Sequence, residues 1–235
     1  MERDVEKVPF LEMFPCCEAL ASSYEELKKC ELIPFQAAID AGAEVIMTAH
    51  IQYPSIETNT YKSIATGEDV YLPATLSKTI LTDILRGDMG YEGVIITDAM
   101  NMDAIRTHFD PMDAAKLAIE AGVDIILMPV DVSTKAGMEQ LDQYIAGLVK
   151  LVEDGEISED QVDAAVLRIL RMKETHGLLE TYDGSNLDSR LEQAEIVGSK
   201  ANHAVEWEIA KQAVTLVKND HDMLPLTGDG EKTVA

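Results

Sequence analysis

The chain has 235 residues, of which 46% are hydrophobic and 26% charged, a composition that forms a folded core rather than a disordered chain. Forty-three acidic against 19 basic side chains leave a formal charge of −24 and a pI near 4.4. That field repels nucleic-acid phosphates and anionic membranes, and no run nears the ~18 apolar residues of a membrane span, so neither is expected as a partner.

The N-terminal stretch MERDVEKVPFLEMF alternates charge with hydrophobes and lacks the apolar core of a secretory signal, so a cytoplasmic location is expected. Cys16, Cys17 and Cys30 are an odd set with one adjacent pair and no histidine at zinc-finger spacing. They read as reduced thiols, buried or idle, rather than as a disulfide framework or a metal site. A charged helix, SYEELKKCEL, is expected to end at Pro34 and give way to a second, PFQAAIDAG, closed by Gly42. Val45–Thr48 then reads as a strand buried on both faces, because its apolar residues do not alternate. The stretch from Ile51 to Leu72 shows no strand periodicity.

A helix over SKTILTDILRGDMG leads through GYEG to a second apolar strand, Val94–Thr97. Asp110 and Pro111 place a capping carboxylate before a proline at the first helical position of a third helix, closed by Gly122. Ile125–Met128 is the third strand. Ser158 and Gln161 form a capping box that opens a long amphipathic helix with Val162, Ala165, Val166, Ile169 and Leu170 on one face, closed by Gly177. LLETYDGSNLDSR then reads as a linker, and NHAVEWEIAKQAVTLVKND as a further helix.

An internal echo ties these segments together. AIDAG followed by AEVIM, and AIEAG followed by VDIIL, repeat one pattern of helix end, glycine, acidic residue and apolar strand. Three such helix–glycine–strand units indicate a parallel α/β sheet with crossover helices. Three strands of this buried type need neighbours on both edges. They belong either with further strands or to a larger barrel or sheet.

In parallel α/β proteins, function sits on loops leaving the C-terminal ends of the strands. Asp98, at the tip of Val94–Thr97, can serve there as nucleophile, general base or metal ligand, or as the N-cap of a helical turn over Asn101–Ile105. His50 follows the first strand and reads either as a hydrogen-bonded structural residue or as part of the site. Asp131 reads as a loop or cap residue, and Met47, Met100, Met102 and Met128 as core filling. Neither G-x-x-x-x-G-K nor G-x-G-x-x-G occurs, so no nucleotide cofactor is expected.

LPATLSKTILTDILRGDMGYEGVIITDAMNMDAI resembles the nucleophile region of glycoside hydrolase family 3. AIDAGAEVIMTAHIQYPSIE resembles the strand and loop before it, AIEAGVDIILMPV the last barrel strand, and AKQAVTLVKNDHDMLPL the segment that joins the barrel to the family's second domain. The similarity runs from about Ser23 to Ala235, with the β-N-acetylhexosaminidase branch nearest and β-glucosidases the rival. It implies an α/β fold in which residues 23–178 are the last three βα units of a TIM (β/α)8 barrel. Residues 179–235 are then a helical linker toward a truncated second α/β domain, and 1–22 an atypical N-terminal segment. It further implies retaining hydrolysis of terminal β-linked N-acetylhexosamine without a cofactor or metal, with Asp98 as nucleophile, and His50 and Met100 lining the sugar pocket. The family's acid/base residues, an Asp-His dyad or a glutamate of the second domain, have no counterpart in these residues. The chain is therefore expected to be an incomplete, poorly active fragment that pairs with a complementary N-terminal barrel half or self-associates.

Overall fold

The computed structural model describes residues 19–179, 191, 194–220 and 224. Expectations for residues 1–18, Cys16 and Cys17 among them, and for most of the linker lie outside the described residues. The chain divides into two units, Met1–Leu179 and Glu180–Ala235.

In the first unit, β1 (Val45–Met47) pairs in parallel with β4 (Val94–Ile96), in the register Val45 to Val94, Ile46 to Ile95 and Met47 to Ile96. The third expected strand, Ile125–Met128, contributes a single parallel bridge, Ile96 to Ile125. Side chains take over part of the rest of its ladder. Thr97 Oγ1 accepts from the Leu127 N–H at 2.9 Å, and the Asp124 carboxylate accepts from the Ile95 N–H at 2.8 Å. Met128 then turns the chain at φ +48°, the left-handed region that non-glycine residues rarely occupy.

The helices pack where their sequence periodicity places apolar side chains. Leu81 and Leu85 of the π-helix Thr79–Asp88 meet Ala114, Ala118 and Ala121 of the helix Pro111–Ala121 around Phe109, Ile105 and Ile95. Alanines at this spacing form a smooth stripe that lets the helix approach closely. Asp110 caps that helix as expected, accepting from the Met112 and Asp113 N–H groups, and Gly122 ends it at φ +102°. Beneath the sheet, Asp124 is fully enclosed and bonds Arg86 Nη2 at 2.8 Å and Arg168 Nη1 at 2.7 Å. Arg86 also donates to the carbonyls of Gly93 and Gly122, which ties the π-helix to the start of β4 and to the turn before Asp124.

The structure departs from the sequence reading at several places. The stretch between Ile51 and Leu72 holds an antiparallel pair, β2 (Thr60–Lys62) and β3 (Asp69–Tyr71), with strands too short to show a period of two. The helix Leu32–Asp40 begins before Pro34, which sits in its first turn where a missing N–H costs nothing. The helix Glu159–Thr175 starts after Ser158, but the Ser158 side chain makes no capping bond. Cys30 is a free, exposed thiol. Of the four methionines expected in the core only Met100 is buried. Met47, 52% exposed, shares with Val45, 46% exposed, a sheet face that nothing covers among the described residues.

In the second unit the helix Lys200–Ala213 is capped by Ser199, whose Oγ accepts from the Asn202 N–H. It stops sooner than its pattern suggested. Val214 adopts extended backbone in a run, VTLV, whose β-branched residues favour that conformation over helix.

Candidate active site

The loop after β4 is positioned from below by the GYEG turn. A Cβ added at Gly93 would lie 2.5 Å from Tyr91 Oη and 2.7 Å from the Glu44 carbonyl, so only glycine lets β4 start beside β1. Tyr91, held in that contact, donates to the Val94 carbonyl at 2.9 Å, and burial pushes its hydroxyl pKa up to about 12.

Asp98 stands two residues beyond β4 on a half-buried loop. The helical turn expected to start at Asn101 starts at Asp103, with Met102 as N-cap. The capping role considered for Asp98 therefore falls away. Its Oδ1 accepts from the Ala99 N–H at 2.7 Å, and among the described residues Oδ2 has no partner. A carboxylate with one oxygen fixed by a backbone amide and the other unengaged is oriented and available for attack or for charge stabilisation.

His50 is brought to the same loop. It is 8% exposed, with Nδ1 2.9 Å from Thr75 Oγ1 and Nε2 3.1 Å from the Ala99 carbonyl oxygen. Burial lowers its pKa, and the Ala99 carbonyl and the Asp98 charge only partly oppose that shift. Both ring nitrogens are occupied by the protein. Met100 sits in the core cluster, and its N–H donates to the Leu127 carbonyl at 2.9 Å. It borders a cavity of about 340 Å³, with Asn101, Pro129 and Tyr144 also in its wall, that does not include Asp98. Asp131 acts as a loop residue, its Oδ1 accepting from the Ser133 N–H, a bond that lowers its carboxyl pKa.

Three buried residues beside the site escaped the sequence reading. Thr75, in the turn Ala74–Leu76, and Ser77, just after it, are both fully buried, and Glu57 is 2% exposed. Glu57 Oε2 accepts from the Ser77 hydroxyl at 2.6 Å, and Oε1 accepts from the Asn59 N–H and side-chain amide. Their signal, a P-A-T-L-S run ahead of a helix, was visible, but nothing in it marks a glutamate 20 residues away as its partner. Among the described residues no group of three or more His, Cys, Asp or Glu side chains is placed to hold a metal.

Residues 18–172 match the family model for the glycosyl hydrolase family 3 N-terminal domain, which its solved relatives show to be of TIM-barrel type. The chain is 34% identical over 208 residues to beta-hexosaminidase A of Pseudoalteromonas piscicida, covering 88% of this chain and 33% of that protein. It is 28% identical over 205 residues to the beta-N-acetylglucosaminidase/beta-glucosidase of Cellulomonas fimi, covering 87% of this chain and 34% of that protein. Among solved structures it resembles a glycoside hydrolase family 3 beta-N-acetylglucosaminidase from a Paenibacillus species, with a TM-score of 0.59 and 34% identity over 71% of this chain and 28% of that one. The chain thus spans about a third of the length of the curated relatives it matches.

Proposed function

From the premise that this chain belongs to glycoside hydrolase family 3, we propose that it carries the nucleophile of a retaining glycosidase, with Asp98 as that residue. The observation that supports this most directly is the carboxylate itself. It lies just past the C-terminal end of a parallel strand, with Oδ1 held by the Ala99 amide and Oδ2 unengaged. Asp98 attacks the anomeric carbon, the bond to the leaving oxygen breaks as a general acid protonates it, and water then hydrolyses the glycosyl–enzyme. The favoured substrate is a terminal β-linked N-acetylhexosamine, since the relative with the higher identity is a beta-hexosaminidase. A β-glucoside is the alternative, supported by the dual name of the Cellulomonas fimi protein.

We read residues 23–178 as the last three βα units of the barrel and 179–235 as the linker and start of a second domain. The uncovered face around Val45 and Met47 supports a complementary N-terminal barrel half, or self-association, as its cover. Residues 1–22 carry no histidine for an Asp-His acid/base dyad, and loss of general acid catalysis alone costs about 10²–10⁴ in rate. The chain alone is therefore expected to turn over aryl β-N-acetylglucosaminide weakly or not at all. Mixing with a separately produced N-terminal barrel half should restore turnover with retention of configuration, and Asp98→Ala should abolish it. Turnover that survives Asp98→Ala refutes the assignment, and a parallel assay on the aryl β-glucoside decides between the sugars.

A further inference from the structure

We propose that Thr48, Thr75 and His50 form a one-directional hydrogen-bonded strap that fixes the Ala99 peptide and, through it, the orientation of the Asp98 carboxylate. The inference rests on the reading of Asp98 as nucleophile, but the geometry of the strap stands apart from it. His50, which the family resemblance gives as a candidate for sugar contact, is in this view a positioning residue.

The direction of the chain follows from counting protons. The Ala99 carbonyl oxygen can only accept, so the 3.1 Å contact to His50 requires a proton on Nε2. A neutral imidazole then has a bare lone pair on Nδ1, and the partner 2.9 Å away, Thr75 Oγ1, must donate to it. Thr75 has one proton. Its other neighbours are the Ala49 carbonyl at 3.0 Å, to which it also bends, and Thr48 Oγ1 at 2.9 Å. Donation to Nδ1 leaves Thr75 free to accept from the Thr48 hydroxyl. Donation to Ala49 instead would leave Nδ1 facing an acceptor and would demand an imidazolium. The ring is 8% exposed and its Nδ1 faces the uncharged Thr75, with Asp98 the one charged group among the described residues that acts on it. Burial disfavours that cation. The Ala99 carbonyl is thereby held by His50 while the Ala99 N–H, on the same residue, holds Asp98 Oδ1. The next amide, Met100 N–H, is tied to the Leu127 carbonyl. The peptide unit that follows the carboxylate's anchor is thus held at both its C=O and its N–H.

The base of the strap is itself anchored. Thr75 lies in the turn Ala74–Leu76, and Ser77, immediately after it, donates to buried Glu57 and accepts from the Ile80 N–H. Glu57 thus holds the turn that carries Thr75 from a second direction.

The test uses isotope-labelled full chain and nuclear magnetic resonance. His50 should show one fixed tautomer protonated on Nε2, and should titrate below the usual histidine value. Thr75→Val removes the donor while keeping the side-chain shape. It should release the tautomer, shift the Asp98 carboxyl carbon signal, and speed hydrogen exchange of the Met100 amide on the order of tenfold, as expected for loss of one buried hydrogen bond. Thr75→Ser should restore all three. A control substitution outside the strap, Ser63→Ala, should move none of them. An Nδ1-protonated or freely titrating His50 in the unmodified chain overturns the proposal, and this measurement decides even if Thr75→Val fails to fold. An unchanged Asp98 signal and Met100 exchange in Thr75→Val overturn it equally. If the strap passes these tests while Asp98→Ala leaves reconstituted turnover intact, the nucleophile assignment fails and the strap survives.

Discussion

Asp124→Asn removes the charge from the carboxylate that joins two arginines and a strand amide under the sheet. In the native chain Asp124 Oδ2 accepts from Arg86 Nη2 and from the Ile95 N–H, both at 2.8 Å, and Oδ1 accepts from Arg168 Nη1 at 2.7 Å. An asparagine keeps the shape but offers one acceptor oxygen. If that oxygen serves Arg86 and Ile95, the new amide points its donors at Arg168. Breaking a buried ion pair by removing one partner costs about 3–5 kcal/mol. Asp124 is fully buried, whereas the side chains of Arg86 and Arg168 retain 15% and 27% exposure, so water relieves part of the stranded charge. The expected loss is therefore at the lower end, about 3 kcal/mol. For a unit of this size each kcal/mol moves the melting midpoint by roughly 2–4 °C, so a fall of about 6–12 °C is expected. Urea titration followed by circular dichroism gives the free energy directly. A loss below about 1 kcal/mol would mean the two guanidinium groups are solvated well enough to stand alone, and the buried network would not be what joins the π-helix to β4.

Gly93→Ala should destabilise by about 1–3 kcal/mol, because its Cβ meets the immovable Glu44 carbonyl at 2.7 Å; equal melting curves would count against that contact. Removing the Asp110 cap, which bonds two amides of the helix Pro111–Ala121, should cost about 1 kcal/mol by the same urea titration. His50 has a pKa below its unfolded value of about 6.5, so the neutral ring is the form the fold favours. Its contribution is therefore fully present above that pH and is lost as pH falls, and His50→Gln should flatten this part of the stability–pH curve.

Much of the scaffold was legible because local chemistry specified it. The Asp110–Pro111 start and the glycine turns at Gly42 and Gly122 needed no tertiary information, and β1 and β4 were expected from their apolar runs. What escaped the sequence reading depends on distant partners. The third strand dissolves into a single bridge because Thr97 and Asp124 substitute side-chain bonds for backbone ones, a choice settled by residues about 30 positions apart. Met47 and Met128 were expected inside because buried strands normally carry such residues, yet they lie on the sheet face and at the strand end where the described chain supplies no cover.

The candidate site divides along the same line. Asp98 was legible because a lone carboxylate after an apolar strand is a local pattern. The residues that hold it were not, since Thr75 and Glu57 look like ordinary loop residues until the fold buries them. That division bears on how the site works. A carboxylate can attack a sugar carbon only if its free oxygen is held in one direction, and among the described residues the hydrogen bond that Asp98 accepts comes from a backbone amide, not a side chain. Orientation must reach it through the backbone, by way of the Ala99 peptide. That peptide is held by a histidine whose own protons are ordered by a buried threonine. His50 follows β1, and Thr75 is bonded to Thr48 and Ala49 just past the same strand, so the parallel pairing of β1 with β4 is also what brings the strap to the carboxylate. A change that shifted this register by one residue would leave Asp98 in the sequence but move His50 and Thr75 away from the peptide that aims it.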